Sequence, residues 1–347
     1  MPRPPLRVAV IGYGLAGRVF HAPLVAADPD MEVAAIVTSD PGRRATAVAD
    51  HPGARLVDRA DDLWADPSSF DLVVVAAPNR AHVPLARAAI AAGMPVVVDK
   101  PLAPNAVQGR ALVEEARAAG VMLTVFHNRR WDADLLTVRR LLAEGAVGGP
   151  ARFESRFDRW RPQVNAAAWR ERPDPEDAGG LLADLGSHLI DQAILLFGPP
   201  LRVRAELDRR RPGARVDDDV FVALTHPGGV RSHLGATMLA AAPGPRMRLM
   251  GLGGTFEVHG LDGQEDALRA GRRPGDPGFG QVSEDAWGTL HDGSASRRVP
   301  MEAGAYTAFY RGVARSLRDG SPPSVDPEEA VRVLEVIDAA RADAEGG

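Results

Sequence analysis

The chain has 347 residues, of which 45% are apolar and 25% are charged, and its formal net charge is −5. This length suits about two domains, and the slightly acidic balance argues against nucleic acid as the main partner. The sequence contains no cysteine, which excludes disulfides, thiolate catalysis and cysteine-ligated zinc. No apolar run reaches membrane-spanning length, and the first strand begins too early to leave room for a signal peptide. We therefore expect a cytoplasmic protein with no membrane partner.

The first 127 residues alternate short apolar runs with alanine-rich helical stretches. Continuous apolar runs suit strands that are buried on both faces of a parallel sheet. The predicted strands are 6–12, 32–38, 71–77, 95–99 and 121–126. The helical stretches 80–93 and 105–120 each end at a glycine, as helices often do. Repeated strand–helix units predict an α/β Rossmann domain with a doubly wound parallel sheet over residues 1–128.

The pattern changes after residue 128. Helices are predicted at 131–144 and 180–197, and the last helix opens at Asp326-Pro327. Segments with alternating polarity predict antiparallel strands that have one covered face. These segments are 152–160, 201–209, 219–226 and 230–238, and a surface loop is predicted at 271–280. Residues 129–347 are therefore predicted to form a second domain of the α+β class.

A glycine-rich turn, "VIGYGLAG", follows the first predicted strand and opens a helix. In that position the first glycine of G-x-G-x-x-G permits a tight turn, the second lets the backbone approach a pyrophosphate, and the third allows close helix–strand packing. The helix N-terminus then faces the phosphates. The predicted cofactor contacts in this turn are Gly12, Tyr13, Gly14, Leu15, Ala16 and Gly17.

The end of the second strand, "IVTSDPGRR", bears on the choice of dinucleotide. Thr38 and Ser39 stand where NAD enzymes usually carry an acidic residue for the ribose 2′-hydroxyl. Arg43 and Arg44 follow, and small hydroxyls with nearby guanidinium groups suit a 2′-phosphate. This pattern favours NADP. In the alternative, Asp40 binds the 2′-hydroxyl of NAD and both arginines are solvated.

Lys100 is the only lysine in the chain. A lysine can give up a proton and presents a compact ammonium, whereas an arginine is always charged. Lys100 directly follows the fifth predicted strand, at the carboxyl edge where open α/β sheets bind their ligands. The alternative is that a strongly arginine-biased chain kept one lysine by drift, but this position favours a functional role.

A second candidate lies on the helix "GGLLADLGSHLIDQAILLFG". Asp184, His188 and Asp191 are spaced four and three residues apart, which places them on one stripe of a largely apolar helix. A carboxylate one turn from a histidine can orient the ring and raise its basicity. The alternatives are a surface stripe or a metal site. Since no third ligand group stands out, we predict no metal.

These motifs together resemble the Gfo/Idh/MocA family of sugar and inositol dehydrogenases over nearly the whole chain. The segment "VVAAPNRAHVPLARAAI" is similar to the family's T-P-N-x-x-H segment, which implies cofactor contacts by Pro78, Asn79 and His82. The segment "VVVDKP" resembles the family's E-K-P, although an aspartate stands where glutamate is commoner. The resemblance implies a cis bond before Pro101, with Lys100 and Pro101 at the cofactor.

Two further parts of the resemblance concern the substrate. "GGLLADLGSHLID" matches the family's D-x-x-x-H helix, which implies that Asp184 and His188 are catalytic and contact the substrate. "FHNRRWD" and "FDRWRP" are similar to a branch of NADP-dependent scyllo-inositol dehydrogenases, which implies that Asn128, Arg129 and Trp160 lie near the substrate. The implied second domain contains a large, open, mostly antiparallel sheet whose face makes homodimers or homotetramers.

The resulting hypothesis is an oxidoreductase that moves hydride between a nicotinamide cofactor and a secondary alcohol or ketone of a sugar or cyclic polyol. The favoured cofactor is NADP, and NAD is the alternative. In this hypothesis His188 takes the hydroxyl proton, Asp184 orients His188, and Lys100 hydrogen-bonds the reacting oxygen. One alternative is an imine or ketone reductase on the same fold that uses the same lysine. The other is a non-catalytic dinucleotide-binding regulator, which would not need these three residues.

Overall fold

The computed structural model describes residues 3–346. The strands in chain order are β1 (Leu6–Ile11), β2 (Met31–Val37), β3 (Arg55–Val57), β4 (Leu72–Val75), β5 (Val96–Asp99), β6 (Leu123–Phe126), β7 (Pro150–Asp158), β8 (Arg202–Asp208), β9 (Asp219–Thr225), β10 (Arg231–Thr237), β11 (Met247–Gly251), β12 (Gly254–Val258), β13 (Gly288–His291) and β14 (Ser296–Val299). The α-helices are α1 (Ala22–Ala26), α2 (Pro41–Asp50), α3 (Asp61–Trp64), α4 (His82–Ala91), α5 (Ala106–Ala118), α6 (Ala133–Ala143), α7 (Ser187–Phe197), α8 (Gln264–Arg269), α9 (Thr307–Asp319) and α10 (Pro327–Gly346).

Two helices open with a π-helical turn. Ala16–His21 leads into α1, and Leu182–Gly186 leads into α7. A π-helical turn is rare in proteins and occurs frequently at functional sites. Both turns lie in segments that carry predicted site residues.

The chain divides into two compact units. The first unit contains residues up to 128 together with 264–279 and 306–331, and the second contains the remaining residues. Two segments of the region 129–347, namely 264–279 and 306–331, therefore pack with the first unit. The physical reason is visible in α9, whose buried Tyr310 packs against His21 and Phe126 of the first unit.

The first unit is built on a six-stranded sheet in the order β3-β2-β1-β4-β5-β6, and every strand pair is parallel. Its central strands β4 and β5 read "LVVV" and "VVVD", and their leucine and valine side chains are fully buried. β-branched residues pack well on a pleated surface, which explains why these runs form strands. This order is that of a dinucleotide-binding Rossmann domain, as predicted. It brings the carboxyl ends of β1, β4 and β5 to one sheet edge.

The second unit is built on an eight-stranded sheet in the order β14-β13-β12-β11-β7-β10-β9-β8. The β7–β10 pair is parallel and the other pairs are antiparallel, so the predicted mostly antiparallel sheet is confirmed. Along β7, β9 and β10, buried side chains alternate with half-exposed or exposed ones. The buried face of β7 and β10 packs against α7.

The stretch Pro175–Phe197 is the one helical segment within residues 3–346 that is long and apolar enough to cross a membrane by length and composition. Within its most apolar window, 78% of the residues are buried inside the protein. Burial in a protein core explains the apolar composition without a membrane, because the core helix of a globular protein has the same character.

Candidate active site

The glycine-rich turn follows β1 and closes against the end of β4. Gly12 has a φ of +97°, and a Cβ there would lie 2.5 Å from the carbonyl oxygen of Ala76. A Cβ on Gly17 would lie 1.9 Å from the Gly12 carbonyl oxygen, so neither position has room for a side chain. At Gly14, by contrast, a Cβ would meet only the guanidinium of Arg43, at 3.8 Å. A phosphate can therefore approach the backbone at Gly14, and the turn fits a dinucleotide.

Tyr13 lies within this turn, but its side chain faces the protein core. The ring is 2% exposed, and the hydroxyl donates a hydrogen bond to Oδ2 of Asp50 at 3.0 Å. Burial and this hydrogen bond raise the pKa of Tyr13 well above its usual range, so the phenol stays protonated. The predicted cofactor contact by Tyr13 is therefore limited to its backbone. After Gly14, Leu15 is exposed and Ala16 is half-buried.

The polar residues that follow β2 differ in their exposure and in their partners. Thr38 is buried, whereas Ser39 is exposed. Asp40 caps α2, because its Oδ1 accepts the backbone N–H of Arg43 at 2.8 Å. Arg44 forms an ion pair with Asp58 and donates to the Thr38 carbonyl oxygen at 3.2 Å.

Arg43, by contrast, is exposed, and within residues 3–346 its guanidinium makes no hydrogen bond or ion pair. Of the two arginines, Arg43 alone therefore combines an uncommitted charge with a place beside Gly14.

The segment after β4 holds Pro78, which is exposed, and Asn79, which is 7% exposed. His82 is also predicted to contact the cofactor, but its ring is buried. Its Nδ1 lies 2.8 Å from the Pro101 carbonyl oxygen, and its Nε2 lies 2.9 Å from the Ala77 carbonyl oxygen. Burial lowers the pKa of His82, although these carbonyls and the nearby Asp99 oppose the effect. The ring ties the loop after β4 to the loop after β5, so His82 supports the site from within the protein.

Lys100 follows β5 and is joined to Pro101 by a cis peptide bond, as the resemblance implies. Its backbone N–H donates to Oδ1 of Asp99 at 2.9 Å. The same oxygen lies 3.7 Å from Nε2 of His21, a buried residue outside the predicted site. Burial raises the pKa of Asp99, but His21, His82 and Lys100 outweigh it, and the net pKa lies below the usual range. The carboxylate beside the candidate lysine is therefore ionised.

The second unit contributes the helix that carries Asp184 and His188. Asp184 lies in the π-helical turn, and Nε of Arg170 is 3.9 Å from its Oδ2. His188 lies in the first turn of α7, is 6% exposed and packs against the Phe157 ring at a centroid distance of 6.4 Å. The two residues are four positions apart and lie in one short helical segment. This segment can supply an acid–base pair.

Asp217 is a further polar residue at this helix, and it lies outside the predicted site. Its Oδ2 accepts the backbone N–H of Leu182 at 2.6 Å, so it satisfies the start of the helix. Gly180, whose φ is +95°, leaves space for it, since a Cβ at Gly180 would lie 2.2 Å from Oδ1 of Asp217. Burial raises the pKa of Asp217. Asp217, Asp184 and Arg170 line one small cavity in the second unit.

The third residue of the predicted stripe has a structural role. Asp191 forms a two-pronged ion pair with Arg130, with Nε–Oδ2 and Nη2–Oδ1 distances of 2.9 and 2.6 Å. Both side chains are buried. Removing one partner of such a pair typically costs about 3–5 kcal/mol, because it leaves a buried charge without compensation. Asp191 therefore stabilises the fold. Asp184 and His188 are the two residues of the predicted stripe that remain candidates for the active site.

The remaining predicted substrate residues differ in their surroundings. Asn128 is 7% exposed and ends the first segment of the first unit. Arg129 is buried, pairs with Asp132 at 3.2 Å and stacks on the Phe157 ring at 5.1 Å. These contacts fix Arg129 in the interior of the second unit. Trp160, just after β7, is 58% exposed, so its ring is accessible to a ligand.

Within residues 3–346, no three or more His, Asp or Glu side chains are grouped so that they could hold a metal ion. The chemistry available at these positions is therefore that of a dinucleotide turn, a lysine next to an aspartate in the chain, and a histidine four residues after a second carboxylate. These groups suit hydride transfer with proton transfer to a side chain.

Comparisons with known proteins identify the family. Residues 6–127 match the Gfo/Idh/MocA model described as "oxidoreductase family, NAD-binding Rossmann fold". Residues 139–347 match the companion model described as "oxidoreductase family, C-terminal alpha/beta domain". The chain is 41% identical over 343 residues to the uncharacterized oxidoreductase YdgJ of Escherichia coli (strain K12), covering 96% of this chain and 94% of that protein.

A second relative and a solved structure are also similar over nearly the full length. The scyllo-inositol 2-dehydrogenase (NADP(+)) IolW of Bacillus subtilis (strain 168) is 37% identical over 339 residues, covering 96% of this chain and 92% of its own. The solved structure of oxidoreductase yvaA from Bacillus subtilis superposes with a TM-score of 0.92 at 35% identity, covering 99% of this chain and 96% of its own. The dinucleotide turn and both matched regions thus lead to one conclusion: the chain is an NAD(P)-binding oxidoreductase of the Gfo/Idh/MocA family.

Proposed function

We propose that this protein is an NADP-preferring dehydrogenase that acts on a secondary alcohol of a sugar or cyclic polyol, such as an inositol. The observation that carries the proposal is the position of Lys100. The chain's only lysine directly follows β5, on the same edge of the parallel sheet as the glycine-rich turn after β1. A donor at that edge is placed for an alcohol whose carbon faces the nicotinamide.

The first unit supplies the residues that would hold NADP. The backbone at Gly14 is open to the pyrophosphate, and the helix that starts at Ala16 directs its N-terminus to the same place. Arg43 would pair with the 2′-phosphate, because its guanidinium is exposed beside Gly14 and uncommitted. Asp40, the alternative partner for a 2′-hydroxyl, is already used as the cap of α2.

The bound nicotinamide supplies a hydride acceptor in oxidation and a hydride donor in reduction. His188 takes the hydroxyl proton as the alcohol becomes a ketone, and it returns that proton in the reverse direction. Asp184 orients the His188 ring and stabilises its charged form. Lys100 donates a hydrogen bond to the reacting oxygen and stabilises the negative charge that develops on it.

The substrate class rests on the relatives. IolW is named a scyllo-inositol 2-dehydrogenase (NADP(+)), and two less similar relatives are named D-apiose dehydrogenase and inositol 2-dehydrogenase. Exposed Trp160 suits a polyol, because the hydrogen-bearing face of a sugar ring packs on an aromatic surface. We place the enzyme in the cytoplasm, where NADP and small polyols are available to it.

The test measures cofactor reduction with a panel of inositols and sugars, using cyclohexanol as a secondary alcohol without further hydroxyls. We expect turnover with at least one cyclic polyol, higher kcat/KM with NADP than with NAD, and no turnover with cyclohexanol. The Lys100→Arg variant keeps the positive charge but not the compact donor. Its turnover should fall by about a hundredfold or more while it still binds NADPH. Unchanged turnover in that variant, or no activity with any polyol or sugar, would contradict the proposal.

A further inference from the structure

His21 is a fully buried histidine to which the proposed reaction gives no role. It ends the π-helical turn after the glycine-rich motif and is 0% exposed. One side of its ring packs against Phe126, at a centroid distance of 4.3 Å. Burying a polar ring costs free energy unless its nitrogens find partners. The groups that face the two ring nitrogens of His21 therefore matter for its role.

The partner of Nδ1 is the hydroxyl of Tyr310, at 2.6 Å. Tyr310 lies on α9 and is also 0% exposed. Burial, together with the nearby charge of Asp99, raises the pKa of Tyr310 well above its usual range, so the phenol keeps its proton. A protonated phenol can donate to Nδ1. Because Nε2 faces the Asp99 carboxylate, the tautomer with its proton on Nε2 is favoured, and in that tautomer Nδ1 accepts from the Tyr310 hydroxyl.

The Nε2 side of His21 faces Asp99, whose Oδ1 is 3.7 Å away. This separation is longer than a normal hydrogen bond, and Nε2 has no hydrogen-bond acceptor among the described residues. The contact is therefore electrostatic, between an N–H dipole and a carboxylate. The polar chain formed by Tyr310, His21, Asp99 and Lys100 thus runs from α9 to the end of β5.

Four polar groups of the first unit act on the Asp99 carboxylate. They are His21, His82, Lys100 and, through its charge interaction, Tyr310. The desolvation of Asp99 favours the neutral acid, whereas the two histidines and the lysine favour the ionised form.

We propose that His21 and Tyr310 are positioning residues that keep Asp99 ionised and fixed beside Lys100, so that Lys100 presents a charged ammonium to the reacting oxygen. The proposal rests on the function proposed above for Lys100. Tyr310 fixes the tautomer of His21, His21 directs an N–H toward Asp99, and Asp99 holds the backbone of Lys100. Neither His21 nor Tyr310 needs to contact the substrate.

The first experiment follows ketone reduction by NADPH from pH 5 to 9 in wild type, His21→Asn and Tyr310→Phe. In this direction protonated His188 is the active form, so His188 itself causes no loss of rate at acidic pH. The wild-type rate should have no acidic limb, because the pKa of Asp99 is depressed. In His21→Asn the pKa of Asp99 should rise, and kcat should fall by about tenfold or more as the pH is lowered. Tyr310→Phe should show the same limb to a smaller extent.

A double variant shows whether the loss of rate in His21→Asn comes from the titration of Asp99 or from a disturbed structure. Asn at position 99 can still accept the Lys100 N–H, but it cannot titrate. The acidic limb of His21→Asn should therefore vanish in His21→Asn, Asp99→Asn, although kcat stays low. Phe309→Leu is the packing control, because Phe309 contacts the Tyr310 ring in the same aromatic cluster. It should lower the thermal stability and leave the shape of the pH profile unchanged.

A second readout needs no substrate. The ¹³C chemical shift of the Asp99 carboxyl, followed by NMR, should titrate at higher pH in His21→Asn than in wild type, while the Kd for NADPH is unchanged. If the shift moves but no polyol is turned over, the proposed function fails and the role of His21 toward Asp99 stands. If His21→Asn and Tyr310→Phe keep the wild-type pH profile and the wild-type Asp99 titration, the two residues only pack the core and this inference is wrong.

Discussion

Two neighbouring arginines show how much a residue's role depends on its partners. Arg43 and Arg44 follow the same strand, and the sequence offers both as ligands for a 2′-phosphate. In the structure Arg44 is bound to Asp58 and to the Thr38 carbonyl, whereas Arg43 extends beside Gly14 without an ion-pair partner among the described residues. The sequence could not make this distinction, because it depends on where Asp58 lies after β3.

The resulting prediction concerns Arg43→Ala. A charge-assisted hydrogen bond contributes about 1.5–3 kcal/mol, so the Kd for NADPH should rise by roughly ten- to a hundredfold. The Kd for NADH should change little, because NADH carries no 2′-phosphate. Arg44→Ala is the matched control and should weaken NADPH binding much less. Fluorescence titration of both cofactors provides the measurement, and equal losses in the two variants would contradict the assignment to Arg43.

Other residues of the candidate site show which functional roles could be predicted from the sequence and which could not. Lys100 was identifiable from its rarity and its place after a strand. His21 was not, since its role depends on Tyr310, which is 289 residues away in the chain. Asp191 looked equivalent to Asp184 on the helical stripe, and only its contact with Arg130 shows that it is structural. The roles of these residues depend on contacts with distant parts of the chain, and the local spacing of residues does not predict such contacts.

At the scale of elements, the parallel strands were predictable because each is a continuous apolar run. β1, β2, β4, β5 and β6 lie within two residues of their predicted bounds. β3 has three residues, and β14 reads "SRRV" with three exposed side chains, so neither carries an apolar signal. α9 also lies outside the predictions, although the buried residues along it are spaced as in an amphipathic helix. That spacing is the signal that could have identified it.

The helix segment with Asp184 and His188 carries its own prediction. His188→Ala should lose about 10²–10⁴ in the rate of hydride transfer, with little change in cofactor affinity. Asp184→Asn should lose less, because the ring remains but is held in a poorer tautomer. Since the two residues act as a pair, the double variant should be hardly slower than His188→Ala. Single-turnover measurements on the four proteins test this, and losses that multiply in the double variant would indicate two independent roles.

At the scale of the whole chain, the two compact units do not follow the order of the sequence. Segments 264–279 and 306–331 return to the first unit after the antiparallel sheet has begun. Their anchors are buried side chains such as Phe309 and Tyr310, which meet aromatic residues from the N-terminal segment. Nothing local in the sequence marks these returns, because they arise from contacts between distant segments.

The open face of the eight-stranded sheet is the proposed site of self-association. Eight strands spaced about 4.8 Å apart, with about five residues of about 3.3 Å each, give a face of roughly 600 Å². A standard interface buries roughly 800 Å² per partner, so this face is large enough to account for most of one. It carries charges of both signs, since Arg248 pairs with Glu154 at 3.2 Å and with Glu257 at 3.4 Å. It also carries Phe221, which is 40% exposed and contacts the His233 ring.

We therefore propose that a second copy of this chain covers that face in a homodimer or homotetramer. Phe221→Asp would place a charge without a partner in the contact, and it should shift the protein to monomers in analytical ultracentrifugation. Leu252→Asp is the matched control, because Leu252 is 92% exposed in the turn between β11 and β12, away from the face. It should leave the assembly unchanged, and circular dichroism should show both variants folded. A wild-type monomer at micromolar concentration, or an equal response of the two variants, would show that the sheet face is not the interface.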